Sequence, residues 1–174
     1  MTPGLNWGAR PSERTALRPC DALAPNAGIR ADRAIGIDAS PSIVFSWLCQ
    51  LRAAPYSYDL LDNFGRRSPR ERHPELAHLE VGQRFMSMFV LQSFVYDEQI
   101  TLRSKGVAVT YRVGPEGAGS RLHVRVLFEG PRFVGRVLAL SDVVMMRKQL
   151  LTLKSLAERE AVQVSARRTV AGHQ

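Results

Sequence analysis

"RAIGIDASPSIVFSWLCQL", residues 33–51, changes period half-way along. Up to Ala39 it alternates, with Ile35 and Ile37 set apart by a small residue, as a strand with one buried face does. From Ser40 it turns helical. Ser40 stands where an N-cap hydroxyl accepts from a free backbone N–H of the first turn, and Pro41 fits the first helical position. Val44, Trp47, Leu48 and Leu51 then fall on one face. Pro55 stops the helix, since its ring and missing N–H do not fit a helix interior.

Beyond Pro55, "APYSYDLLDNFG", residues 54–65, predicts a second short helix. Ser57 caps it, Leu60, Leu61 and Phe64 face inward, and Gly65 ends it. Tyr58, Asp59, Asp62 and Asn63 cover its other sides. From Arg66 to about Leu79 the Pro, Arg and His content reads as a loop.

After Val81 the period becomes two-fold and remains so to Gly130. "QRFMSMFV", "SFVYDEQITLR", "GVAVTYRVG" and "SRLHVRVLFEG" are the candidate strands, with turn chemistry at Lys105-Gly106 and at "GPEGAG", residues 114–119. Connections this short make neighbours antiparallel. In "RLHVRVLFE", Leu122, Val124, Val126 and Phe128 share one face, while Arg121, His123 and Arg125 share the other. If that second face is convex, His123 and Arg125 meet solvent; if the alternation is inverted, they line the interior and suit a carboxylate or enolate.

Gly130-Pro131 breaks the sheet. A helical pattern follows, with an interruption expected near Ser141-Asp142, where Asp142 would cap the longer segment. Val143, Met146, Leu150, Leu153 and Ala157 then make a stripe along a helix of about 19 residues, roughly 28 Å long. The order is one strand, two short helices, an antiparallel run and one long helix. This predicts an α+β fold in which a curved sheet wraps around the C-terminal helix.

The flanks differ in composition. Residues 1–30 carry Pro3, Pro11, Pro19 and Pro25 with little periodicity and read as a flexible arm. Residues 161–174 lack a strong stripe and read as a fraying tail. The folded domain is expected over residues 31–160.

A net charge of +8 raises nucleic acid and anionic membranes as partners. The arginines, however, are dispersed. Only "RRSPRER", residues 66–72, clusters, and without interleaved aromatics to stack bases it reads as a solvated loop. No nucleic-acid partner is expected. No run reaches the 18 apolar residues that span a bilayer. Cys20 and Cys49, with no apolar leader before them, read as reduced thiols of a cytoplasmic protein, Cys49 as a small buried hydrophobe. His73 and His78 are not at metal-ligand spacing, "GPEGAG" lacks the helix of a phosphate cradle, and there is no GxSxG. No metal and no cofactor are expected.

In element order and in particular segments the chain resembles the START/polyketide-cyclase (SRPBCC) superfamily of helix-grip proteins. The matching segments are "IDASPSIVFSWLCQL", "PYSYDLLDNFG", "LEVGQRF", "SRLHVRV" and "VVMMRKQLLTLKSLAERE". The resemblance covers residues 31–160 and implies a deep apolar pocket between the concave sheet face and the long helix. It implies a hydrophobic small-molecule ligand, lipid or polyketide-like, carried or sensed; the alternative is a polyketide cyclase or dehydratase. Tyr56, Tyr58, Asp59, Asn63 and Phe64 would form the rim, and Met86, Met88, Tyr111, Met146 and Leu150 the lining, with Tyr58 and Asp59 the catalytic candidates. A Met and Val stripe at helical spacing equally reads as plain core. Oligomeric state stays open.

Overall fold

The computed structural model describes residues 5–56, 70–130 and 132–171, with side chains in the last segment from Met145 to Arg167 and at Thr169. The second short helix expected from Ser57 to Gly65, and with it Tyr58, Asp59, Asn63 and Phe64, lies outside the described residues.

Seven strands form one curved sheet in the order β1-β2-β7-β6-β5-β4-β3. They are β1 (Asn6–Trp7), β2 (Ile29–Ile37), β3 (Arg84–Phe85), β4 (Phe89–Val95), β5 (Gln99–Ser104), β6 (Val107–Glu116) and β7 (Gly119–Phe128). Every pairing is antiparallel except β1 with β2. The helix α3 (Pro41–Cys49) follows β2, its Ser40 hydroxyl accepting from the Ile43 N–H as the sequence predicts. The C-terminal helix α4 (Arg132–Ala171) ends the described chain.

Four segments depart from expectation. The strand expected from Arg33 is β2, and it starts four residues earlier, at Ile29. "QRFMSMFV" is a hairpin rather than one strand: β3 and β4 are joined through Met86 and Ser87, at φ of 47° and 65°. "SFVYDEQITLR" likewise contains the β4–β5 turn, with Asp97 at φ 59°. Tight turns hide inside an alternating pattern because they restore the same two-fold phase on the far side. Finally, α4 runs unbroken for 40 residues, about 60 Å, through Ser141 and Asp142. Those two residues cost an interior turn only some tenths of a kcal/mol each, too little to break it.

The segment before β2 carries structure as well. Here α1 (Pro11–Thr15) and α2 (Pro19–Leu23) share a start, Arg-Pro-x-acid: the Arg10 N–H donates to Glu13 at 2.6 Å and the Arg18 N–H to Asp21 at 2.7 Å. Each acid sits at the third helical position, where it satisfies an otherwise orphan backbone donor. Gly8, at φ +67°, lets β1 close on β2, since a Cβ there would stand 2.1 Å from the Ala34 carbonyl oxygen.

These pieces make three layers. On the inner face of the sheet, Val44, Trp47 and Leu48 of α3 and Met146, Leu150, Leu153 and Ala157 of α4 join Ile37, Leu102, Val109, Leu122 and Val126 in one apolar core. On the outer face, Cys20 of α2 and Ala24 just after it bury against Ala108 and Leu127 in a second cluster. The described part of the tail continues α4 to Ala171.

Candidate functional site

The sheet register sets the inner face. Trp7 pairs with Arg33, Arg33 with Val124, Val124 with Tyr111, and Tyr111 with Ile100, so these five residues form one row across the strands. Helix α4 crosses above it. The Arg147 guanidinium lies 5.7 Å from the centre of the Trp7 ring, and Gln149 receives the Tyr111 hydroxyl at 2.9 Å. The Gln149 amide donates in turn to the Pro55 carbonyl at 2.6 Å and reaches the Met86 sulfur at 3.4 Å. One buried side chain therefore ties α4 to the sheet, to the chain after α3 and to the β3–β4 turn.

Tyr56 is buried at φ 56°, its ring edge-on to Trp47 with centroids 6.2 Å apart. The Trp47 indole N–H is buried with no acceptor among the described residues. Beyond α3, the Gln50 side chain accepts from the His73 N–H at 2.9 Å and donates to the His73 carbonyl at 3.1 Å. Arg52 donates to the Leu76 and His78 carbonyls, each at 3.0 Å. The chain from His73 to His78 is thus fastened beside the end of α3.

Of the residues expected to line a pocket, the structure brings Tyr56, Met86, Tyr111, Met146 and Leu150 into or against the inner core. It does not bring Met88, which is 68% exposed beyond the β3–β4 turn. Two inner-face polar residues escaped the sequence reading. Arg33 has the parity of Ile35 and Ile37, and Gln149 adjoins Leu150 three residues after Met146; periodicity applied without regard to polarity would have found both.

The outer face corrects a second expectation. His123 and Arg125 do lie opposite Leu122 and Val124, but neither meets solvent: they are 3% and 0% exposed, covered by the N-terminal segment. Arg125 donates from Nε to Asp32 at 2.8 Å, from one terminal nitrogen to Asp21 and the Ala16 carbonyl, and from the other to the Glu13 and Arg14 carbonyls. All of its N–H donors are engaged. His123 Nδ1 accepts from Arg18 Nε at 3.3 Å, so its proton sits on Nε2, facing Asp32 at 3.1 Å. Burial raises the Asp32 pKa, but the hydrogen bonds from His123, Arg125 and Arg30 outweigh it and hold the carboxyl down at about 2. Glu13 pairs with Arg121 at 2.5 Å. The charges of this face are bonded to one another, which is an anchor rather than an open site.

The thiols are quiet. Burial pushes the Cys49 pKa up to about 12 and raises that of Cys20. Among the described residues no group of His, Cys, Asp and Glu gathers as a metal would need, and no helix is long and apolar enough to cross a membrane.

No family model and no curated protein matches the sequence. Solved structures do match the fold. The KanY protein is 15% identical over 75% of this chain and 97% of its own, with a TM-score of 0.51. The Aha1 protein of Colwellia psychrerythraea, solved as a dimer, and protein CV1439 of Chromobacterium violaceum are each 14% identical over 75% of this chain. They are covered over 96% and 98% of their own lengths, at TM-scores of 0.49 and 0.48. The fold these structures share with the chain is the helix grip. In a helix grip the inner sheet face and the long helix are the two walls of one layer, and here Tyr111 and Gln149 join those walls.

Proposed function

We propose that this chain binds a hydrophobic small molecule, lipid or polyketide-like, between the inner sheet face and α4, as a carrier or sensor. What supports the reading is the hydrogen-bonded pair Tyr111–Gln149, which shares with Arg33 a layer of mainly apolar side chains. A few polar groups set among aliphatic and aromatic ones orient a ligand whose affinity comes from its apolar surface. The methionines Met86 and Met146, with flexible unbranched side chains, suit a wall that adjusts to its guest. Free, buried Cys20 and Cys49 accord with a cytoplasmic setting.

The test is native mass spectrometry of the protein purified from its own host, followed by denaturing extraction of whatever it holds. A stoichiometric apolar metabolite is the expected result. An empty protein that also takes up no fatty acid, sterol or polyketide would sink the reading. Conversion of a bound polyketide, abolished by Tyr58→Phe or Asp59→Asn with affinity kept within about tenfold, would replace the carrier with the cyclase.

A further inference from the structure

We propose that the groove on the solvent side of α4, beside the end of β2, docks an extended acidic segment of a partner protein, which adds to the sheet there. This surface lies outside the inner layer, so the inference goes beyond the ligand reading above.

The edge of β2 carries it. The β1 strand covers that edge only at Asp32 and Arg33, with Gly8 closing on the Ala34 carbonyl, before the chain turns off into α1. The Asp32 N–H points outward, to the Asn6 side chain, and by alternation the backbone groups of Gly36 and Asp38 point outward as well. No strand among the described residues serves those two. Side chains do: Lys154 Nζ donates to the Gly36 carbonyl at 2.9 Å, Glu158 accepts from the Asp38 N–H at 2.9 Å, and the two side chains pair with each other one helical turn apart. In a parallel pair a single residue bonds such a carbonyl with its N–H and such an N–H with its carbonyl. Lys154 and Glu158 thus fill the place of one strand residue, and both are part-exposed, so an incoming backbone can take over their bonds.

The same two side chains line a groove of about 560 Å³ with Leu151, Ser155, Arg159, Val162 and Gln163. Leu151 and Val162, 43% and 70% exposed, stand three turns and about 16 Å apart, the reach of about five extended residues. The charge of Glu158 is matched by Lys154. Arg159 donates from Nε to the Ser155 carbonyl at 3.3 Å, while its terminal nitrogens and the Gln163 amide have no partner among the described residues. The groove therefore holds one surplus positive charge and free donors between two apolar contacts. An extended segment with an acidic side chain among apolar ones answers all of these, its backbone on the β2 edge and its carboxylate on the two-pronged guanidinium. A second copy of this chain would bring a like charge to the same place.

The experiment uses a labelled octapeptide of alternating valine and threonine with one central aspartate, and its counterpart with lysine in place of aspartate. Fluorescence polarisation with the full chain should show the acidic peptide binding about tenfold more tightly than the basic one, and Arg159→Gln, an exposed change, should bring the two within about threefold. Amide shifts on binding should fall on residues 35–38 and 151–163. The double variant Lys154→Ala, Glu158→Ala frees the edge without changing net charge, and should bind the acidic peptide several-fold more tightly; unchanged or weaker binding overturns strand addition. Equal affinity for both peptides in wild type, or no binding of either at about 1 mM, overturns the docking surface. Dimerisation of the chain alone that Val162→Asp abolishes, read by analytical ultracentrifugation, gives the groove to a second copy and overturns the partner. None of these outcomes bears on the ligand of the inner layer.

Discussion

The two faces of the sheet are buried by opposite means. The same three strands, β2, β6 and β7, supply both, residue by residue in alternation. Inward they present Ile37, Val109, Leu122 and Val126, and apolar area against α3 and α4 closes the layer. Outward they present Asp32, Thr110, His123 and Arg125, closed by backbone carbonyls and acids of the N-terminal segment. A charged face can therefore be core, provided each donor meets its acceptor. Polarity on an alternating strand distinguishes the two faces without saying which one is wet.

This contrast breaks most sharply at Arg125. Arg125→Ala should cost about 3–5 kcal/mol, because it leaves Asp32 and Asp21 short of their cation and removes the donors that several carbonyls use. Urea denaturation would measure it, and limited proteolysis should find cleavage moving into residues 9–25. A loss under about 1 kcal/mol would mean that the segment merely rests on the sheet.

Acid should weaken the outer face next. The Asp32 carboxyl has a folded pKa of about 2 against an ordinary 3.8. A depressed pKa contributes stability that is present above 3.8 and lost as pH falls through 2. That is about 2 kcal/mol, disappearing between pH 5 and pH 2. Thermal melts across this range in wild type and Asp32→Asn should show a pH slope that the variant flattens. An unchanged slope would assign the acid sensitivity to other carboxylates.

The inner face answers more mildly. Tyr111→Phe removes one hydroxyl and leaves the Gln149 oxygen without that donor, a loss of about 1–2 kcal/mol in denaturant titration. Because Gln149 also fixes Pro55 and Met86, amide exchange should quicken at the β3–β4 turn in Gln149→Leu more than in Tyr111→Phe. The smallest effect belongs to the periphery. Arg72→Ala breaks the solvent-facing pair with Glu160 at 2.6 Å and should shift stability by less than about 1 kcal/mol, within the range of surface ion pairs. A larger shift would mean that this contact holds the chain before the His73 anchor against α4.

Much of this was legible in the residues themselves. Ser40-Pro41 marked the start of α3, the glycines at 106 and 117 marked two hairpins with positive φ, and the stripe from Met146 to Ala157 marked the buried side of α4. These are local features: a cap, a turn and a periodicity each act within a few residues, so the chain carries them wherever it folds. "RPSE" at residues 10–13 and "RPCD" at residues 18–21 were local signals too, obscured by the proline content around them.

What the sequence by itself determined is therefore the order of strand, helix, antiparallel run and long helix, with the turns at Gly106 and Gly117. Tertiary structure decided which polar residues are core. Arg125 meets Asp21 across 104 residues, Tyr111 meets Gln149 across 38, and Arg33 becomes interior once α4 lies over its row. A periodicity records which side chains share a face. What covers that face depends on segments distant along the chain, whose charges and surfaces meet only when the sheet has brought them together.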